Sequence, residues 1–239
     1  MCWIREWQEE PWRQRSLNSK DMRTLIIPDI HNKFIDAEVM IAHEKPDNII
    51  FLGDYFDGFN DSPEIAYQVA SWLKDSLTKT NRIHLIGNHD ISYMTNGKHG
   101  CAGWDGAKQM FINKVKINWK LLEHYCWVGD WLCTHAGLSN EFYKAYKDKE
   151  ESTNDFLHRY STDLELKSRL YDVSPFRGGI DAFGGILWCD YDEFVDIPNL
   201  KQIFGHTHGE LRQTEKHICL DTFLEYYAIY NGEMKVKKI

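Results

Sequence analysis

Five short stretches of this chain carry side chains suited to holding metal ions. They are Asp29-x-His31, Gly53-Asp54-Tyr55-Phe56-Asp57, Gly87-Asn88-His89-Asp90, Thr134-His135-Ala136-Gly137 and Gly205-His206-Thr207-His208-Gly209. Carboxylates, imidazoles and an amide oxygen are the donors of borderline-hard divalent cations. No cysteine falls within the five stretches, which argues against a thiolate zinc site. Glycines beside the donors let the backbone turn sharply. A single histidine in a β-rich protein is more often a packing residue than a ligand, so the weight rests on clustering. Five of the eleven histidines lie in the stretches; His43, His84, His99, His124, His158 and His217 lie outside and are expected to make ordinary local bonds. Tyr55 and Phe56 are expected to pack, and Asp90 to cap a helix or orient a ligand.

Each stretch follows a run that reads as a β-strand. Thr24–Pro28, Asn48–Leu52 and Arg82–Ile86 are apolar runs that end in the first three clusters. Between them Phe34–His43 and Pro63–Leu77 carry helical apolar spacing. This alternation predicts an α/β domain with a parallel or mixed sheet, whose strand ends are where such sheets place ligands. Asp105–His124 reads as one or two helices, and Gly129-Asp130 as the turn of a hairpin joining Tyr125–Val128 to Trp131–Thr134. Asn140–Val173 is charged and helically spaced, the pattern of an insertion at residues 140–176 lying outside the sheet core. Strands are expected again at Gly185–Trp188, Gln202–Phe204, His217–Leu220, Tyr226–Tyr230 and Met234–Val236, the last two joined at Asn231-Gly232. Residues 1–22 stand apart as an N-terminal extension without an assigned role, with Trp3 and Trp7 spaced for one face of a short helix. Residues 23–239 are expected to form one domain.

With the clusters in this order, the chain resembles the calcineurin-like metallophosphoesterase superfamily. The resemblance runs from Asp29 to Gly209. It implies a four-layer αββα fold, a β-sandwich of two mixed sheets flanked by helices with metals at the strand ends. It further implies that Asp29, His31 and His208 hold one metal, that Asn88, His135 and His206 hold a second, and that Asp54 bridges them. His89 would face the leaving group, with Asp57 holding its ring. Elementary chemistry is compatible with these roles. Two cations about 3.5–4 Å apart clamp a phosphoryl group and acidify a bridging water, whose hydroxide attacks phosphorus in line. His89 would then donate to the leaving oxygen as general acid or stabilise charge there, and Asp57 would fix its tautomer and favour the charged form.

Within the superfamily the sequence is most similar to the phosphoprotein phosphatase branch and its small bacterial relatives, including dinucleoside tetraphosphate hydrolases. Gly53–Asp57, His135-Ala136-Gly137-Leu138-Ser139, Leu187-Trp188-Cys189-Asp190 and Cys219-Leu220-Asp221-Thr222 carry that likeness. Two positions depart from it. Where that branch has arginines, after the counterpart of Asp57 and before the Gly-Asn-His block, this chain has Gly58 and Ile86. Arginines grip the oxygens of a phosphomonoester dianion. Arg177 is the expected substitute, with Arg212 next.

The expected activity is metal-dependent hydrolysis of a phosphate monoester on a phosphorylated small molecule, nucleotide or phosphoprotein. The alternative is a phosphodiesterase or nuclease on the same centre, acting on a cyclic nucleotide, dinucleotide or nucleic-acid end. A scaffold that kept the fold and lost catalysis is disfavoured by the full set of inferred ligands. Two divalent ions are expected as cofactors, manganese first, with iron, zinc or nickel also suited to mixed nitrogen and oxygen donors. A formal net charge of −8 over 239 residues excludes a broad duplex nucleic-acid surface. The chain has no apolar run near the ~20 residues of a membrane span. Its six cysteines are scattered without a CxxC pair, so reduced thiols and a cytoplasmic location are expected.

Overall fold

A computed structural model describes residues 16–17, 22–58, 61–163 and 165–239. The first half is a β-α-β-α-β run: β2 (Thr24–Ile27), α1 (Phe34–Glu44), β3 (Asn48–Phe51), α2 (Pro63–Ser76) and β4 (Arg82–His84). Ser62 caps α2, accepting from the Ile65 N–H, and Pro63 sits in the first turn, where its missing N–H costs nothing. Every residue of β2, β3 and β4 is buried, which is why β2 and β3 read as nearly continuous apolar runs and not as an alternation; in β4 the buried positions include Arg82 and His84.

The three strands pair in parallel, with Leu25 opposite Ile49 and Phe51 opposite His84. Antiparallel β10 (Tyr226–Tyr230) and β11 (Met234–Lys238) complete a five-stranded sheet in the order β11-β10-β2-β3-β4. The second sheet has β1 (Ser16–Leu17), β5 (Tyr125–Val128), β6 (Trp131–Thr134), β7 (Lys201–Phe204), β8 (Arg212–Gln213) and β9 (His217–Cys219), in the order β1-β5-β6-β7-β9-β8. Both sheets are mixed.

The two-residue period of a strand divides the core in two. Ile26, Ile50 and Ile83 point inward and meet Cys126, Val128, Cys133, Ile203 and Ile218 between the sheets. Leu25, Ile27, Ile49 and Phe51 point the other way, into a cluster with Ala37 and Met40 of α1 and Val69, Ala70 and Leu73 of α2. The expected four-layer sandwich is the observed fold. Cys126 and Cys133 lie opposite one another across β5 and β6, and both are free buried thiols.

Two expectations fail. Gly185–Trp188 is a turn and not a strand, because the N–H groups of Trp188 and Cys189 both return to the Gly185 carbonyl. Its apolar composition is real, since Ile186 and Leu187 are fully buried. The 140–176 segment is helical, as expected, through α5 (Asn140–Tyr146) and α6 (Thr153–Thr162). It does not lie outside the core: Phe142, Phe156, Leu157 and Leu170 are fully buried in the same cluster as Leu25 and Phe51. The helix expected at Trp3 and Trp7 lies outside the described residues, and Ser16–Leu17 forms an edge strand parallel to β5. Asp105–His124 resolves into one helix, Gly106–Val115, and a single 3₁₀ turn at Trp119–Leu121.

Candidate metal centre

The polar loops at the carboxyl ends of β2, β3, β4, β6 and β7 meet in one place. Several of their residues hold left-handed backbone conformations without being glycine: His31 (φ 38°), Asp54 (52°), Asp57 (66°) and His206 (68°). Each such residue carries about 1–2 kcal/mol of strain, which persists only where the surroundings enforce it. Here the loops hold one another. The His31 N–H donates to the Asp54 carbonyl at 3.0 Å, Asn32 to Tyr55 at 2.9 Å, and Gly205 to His135 at 2.7 Å.

Asp90, in the first turn of α3 (Asn88–Met94), ties two loops together. Its carboxylate accepts from the N–H groups of Gly87, Asp54 and Tyr55 at 2.8–3.0 Å. Burial and the Asp54 charge push its pKa up to about 8, against those three donors. Asp90→Ala would orphan three buried N–H groups at about 1–3 kcal/mol each, so a loss of about 3–5 kcal/mol is expected. Thermal unfolding should show a Tm lower by about 6–20 °C at this chain length.

Two glycines are required by close approach. A Cβ on Gly87 would meet Asp54 Oδ1 at 2.1 Å, and one on Gly205 would meet Asp29 Oδ1 at 1.9 Å. The carboxylates occupy the space a side chain would need, which accounts for glycine at the head of both the Gly-Asn-His and Gly-His-Thr-His stretches.

The donor atoms fall into two groups, each with its atoms within 4.8 Å of one another: Asp54, His135 and His206, and His31, Asp54 and His89. Asp54 belongs to both. In the first group the Asn88 Oδ1 atom lies 2.8 Å from His135 Nε2 and 2.9 Å from His206 Nδ1. His135 Nδ1–H donates to the Leu52 carbonyl at 2.9 Å. Burial lowers the pKa of His135, with Asp54 opposing, so the ring is neutral and its Nε2 is a bare lone pair. That lone pair faces another acceptor, because the Asn88 amide nitrogen points away, to Cys101 Sγ at 3.1 Å. Acceptors converging without a proton between them suit a cation. Two further buried acceptors or ring nitrogens, Asp29 Oδ1 and His206 Nε2, have no hydrogen-bond partner among the described residues.

His31 is prepared similarly. Its Nδ1–H donates to the Phe56 carbonyl at 2.9 Å, which turns Nε2 toward Asp54 Oδ2, 3.7 Å away. Asp29 and His208 join neither group among the described residues. Asp29 is buried and accepts from the His206 N–H at 2.8 Å. His208 turns outward, its Nδ1 3.6 Å from Asp221 and its ring 3.4 Å from that of Phe223.

Within the second group, His89 Nδ1–H donates to Asp57 Oδ2 at 2.9 Å. Burial works against a charged ring, but the Asp54 charge and the Asp57 bond raise its pKa well above the ordinary value. Asp57 is itself held by Tyr93 Oη at 2.6 Å and Lys108 Nζ at 2.8 Å. Tyr93 has a readable signal, standing four residues after His89 on the same face of α3. Lys108 has none, being 51 residues from Asp57 and brought there only by the fold. Tyr55 packs, its hydroxyl donating to the Leu85 carbonyl at 3.0 Å, and Phe56 packs against Tyr93 with the rings tilted.

Gly58 and Ile86 have structural reasons for not being arginine. A Cβ on Gly58 would meet Asn32 Nδ2 at 2.8 Å, and Ile86 is fully buried in the apolar core. Arg177 reaches the site from the other side, with Nη2 2.9 Å from Thr207 Oγ1 and Nε 2.6 Å from Asp190. Arg212 donates to the Thr207 carbonyl at 3.1 Å and lies over the Tyr191 ring.

The family model described as calcineurin-like phosphoesterase matches residues 22–210. The chain belongs to that family. It is a phosphoester hydrolase of a family that depends on divalent metals, and the residues gathered here fit such ions. The fold of this phosphoesterase is similar to that of a cold-active protein-tyrosine phosphatase from a psychrophilic Shewanella. Identity is 16% and the TM-score 0.55, over 92% of this chain and 81% of that one. A serine/threonine phosphatase from Saccharomyces cerevisiae is similar at 15% identity and a TM-score of 0.53, over 94% and 82% of the two chains. No curated protein matches in sequence. Among the described residues, no helix is long and apolar enough to cross a membrane.

Proposed function

We propose that this phosphoesterase hydrolyses phosphate monoesters at a dinuclear centre held by Asp29, His31, His208, Asn88, His135 and His206, with Asp54 shared between the two positions. The observation that supports it most directly is the meeting of two acceptors, Asn88 Oδ1 and the neutral His135 Nε2, 2.8 Å apart, with His206 Nδ1 2.9 Å from the same oxygen. When bound, two divalent ions, manganese first among them, would supply a positive clamp for the phosphoryl oxygens and acidify water. The chain's own groups do the rest. Asp57 orients His89 so that Nε2 is left for the leaving oxygen, to which it gives a proton. Tyr93 and Lys108 keep Asp57 from turning away. Arg177 faces the phosphoryl group through the nitrogen not engaged by Thr207 or Asp190. His208 needs a rotation away from Phe223 to join Asp29 and His31. Buried free thiols at Cys126, Cys133, Cys189 and Cys219 support a cytoplasmic location.

A second reading has one observation in its favour. Gly58 and Ile86 leave both family arginine positions without a cation, and a diester, with one fewer negative charge, needs less clamping. Initial rates of manganese-reloaded protein on p-nitrophenyl phosphate and bis-p-nitrophenyl phosphate separate the two. A monoester preference is expected, with Arg177→Ala raising KM for the monoester about ten-fold. A diester preference would replace the monoesterase reading with the diesterase, and an unchanged KM would remove Arg177 from the phosphate site.

A further inference from the structure

A cavity of about 600 Å³ lies between α5, α6 and the turn that precedes β7, and no residue of the metal centre lines it. Its charge runs against that of the chain. Asp and Glu outnumber Lys and Arg by 36 to 28, yet the walls carry Lys144, Lys147 and Lys149 and no carboxylate. The acidic neighbours are engaged elsewhere. Asp148 and Glu151 both pair with Arg159, at 3.5 and 2.6 Å, and Asp155 accepts from Ser152 Oγ at 2.6 Å. Glu150 is exposed and outside the lining. Glu141 stands 3.5 Å from Lys144, an exposed pair that contributes little. Lys147 Nζ lies 5.0 Å from the centre of the Tyr143 ring, and Lys149 pairs with nothing among the described residues.

Charge alone would make a solvated patch. Asn140 adds an independent observation. This first residue of α5 is only 8% exposed, and its backbone N–H donates to the Val195 carbonyl at 2.8 Å. Its side-chain amide lines the cavity and has no hydrogen-bond partner among the described residues. A buried amide is costly to leave unpaired. Thr153, also in the lining, opens the ten-residue α6, so the positive end of that helix dipole adds to the lysines. An amide, a hydroxyl and ammonium groups together are the donors of a multiply charged oxyanion.

We propose that this cavity is a binding site for a phosphate-type dianion, held by the Asn140 amide with Lys147 and Lys149. It is separate from the metal centre, and it stands whichever ester that centre hydrolyses. Binding is non-covalent throughout.

Equilibrium dialysis with radiolabelled inorganic phosphate separates the two sites. Manganese-loaded protein should hold about two phosphates per chain and metal-stripped protein about one, the latter with a Kd of about 1 mM or below. A missing metal-dependent equivalent would count against the centre and not against this cavity. In Lys147→Gln/Lys149→Gln the metal-independent site should weaken by about ten-fold or more, while the manganese-dependent one remains. Asn140→Ala, which alters no charge, should weaken it by about five-fold. Lys235→Gln/Lys238→Gln, the same charge loss on β11, should leave it unchanged. O-Phosphoserine identifies the source of the group. Binding as tight as that of inorganic phosphate means that the cavity accepts a phosphate carried on a larger molecule; binding of inorganic phosphate alone means a free ion. Absence of a metal-independent phosphate, unchanged affinity in Asn140→Ala, or equal weakening by both lysine pairs overturns the proposal and leaves a solvated lysine face.

Discussion

Replacing His89 by asparagine is expected to lower kcat by about 10²–10⁴-fold, the range for losing a general acid, with bound metal unchanged at about two ions per chain. The expectation is sharp because the structure offers a competing role. His89 lies within the same 4.8 Å group as His31 and Asp54, where it has the reach of a ligand. Its other connections favour the acid. The Nδ1 atom is committed to Asp57, and Asp57 is fixed by Tyr93 and Lys108, so the ring is oriented from behind by a chain of three groups. Asparagine preserves a donor for Asp57 but has no proton to deliver. The loss should be greater for phenyl phosphate than for p-nitrophenyl phosphate, since the poorer leaving group depends more on protonation. Metal analysis beside the two rates decides the matter. A variant that loses one ion, or slows equally on both esters, would make His89 a ligand.

Much of the fold is legible in the sequence because its signals are local. The runs ahead of Asp29 and Asp54 are apolar after their first residue, the run ahead of Asn88 is apolar but for Arg82 and His84, and all three are strands buried on both faces. Pro63 and Asn231-Gly232 mark a helix start and a hairpin through fixed backbone preferences. The apolar content of Gly185–Trp188 is equally visible but points to a strand where the chain forms a turn. Burial does not distinguish the two, and the deciding bonds to the Gly185 carbonyl leave no mark on composition. The 140–176 segment misleads for the complementary reason. Its many charges describe its outer face, while a few residues such as Phe142 and Phe156 carry its attachment to the core.

The site divides along the same line. Residue types able to donate to a metal are few and here sit beside glycine or one another, so the candidates Asp54, Asn88, His135 and His206 stand out in the sequence alone. Residues that act on those residues have no such mark. Lys108 reads as one more charge on an amphipathic helix, yet its ammonium bridges Asp57 and Asp61 at 2.8 Å each. Asp90 allows two readings, and the structure joins them: it caps α3 and, with the same carboxylate, holds the backbone of the bridging candidate Asp54. The orientation of His208 is not readable at all, because it depends on Phe223, fifteen residues on, and on a strained turn that no residue preference announces.

Asp54→Asn should have the largest effect on metal binding and almost none on the fold. Asp54 Oδ2 lies 3.5 Å from His135 Nε2 and 3.7 Å from His31 Nε2, so one carboxylate faces both halves of the centre. Burial opposes its charge, but the surrounding histidines, His89 among them, and the His89 N–H hold its pKa below the ordinary carboxylate value. Asparagine matches it in size and keeps an oxygen for the His89 N–H, which Oδ1 now accepts at 2.9 Å. It removes the negative charge that lets two cations approach one another. Metal content should fall to about one ion or fewer, and turnover by about 10³-fold or more. In the unaltered protein, manganese at about 100 times its Kd should stabilise the fold by about 2.7 kcal/mol and raise Tm by about 5–10 °C. That rise should be absent from the variant. The metal-free proteins should behave differently: burial first, then Asp221 at Asp29, raises the pKa values of Asp29 and Asp90, and the Asp54 charge adds to both, so it repels them where they are ionised. Removing it relieves like charges at a buried site, so the metal-free variant should unfold at the same temperature or higher, the pattern of a group retained for function at some expense in stability. Retention of both ions, or a lower Tm without metal, would instead make Asp54 a residue that holds the loops together.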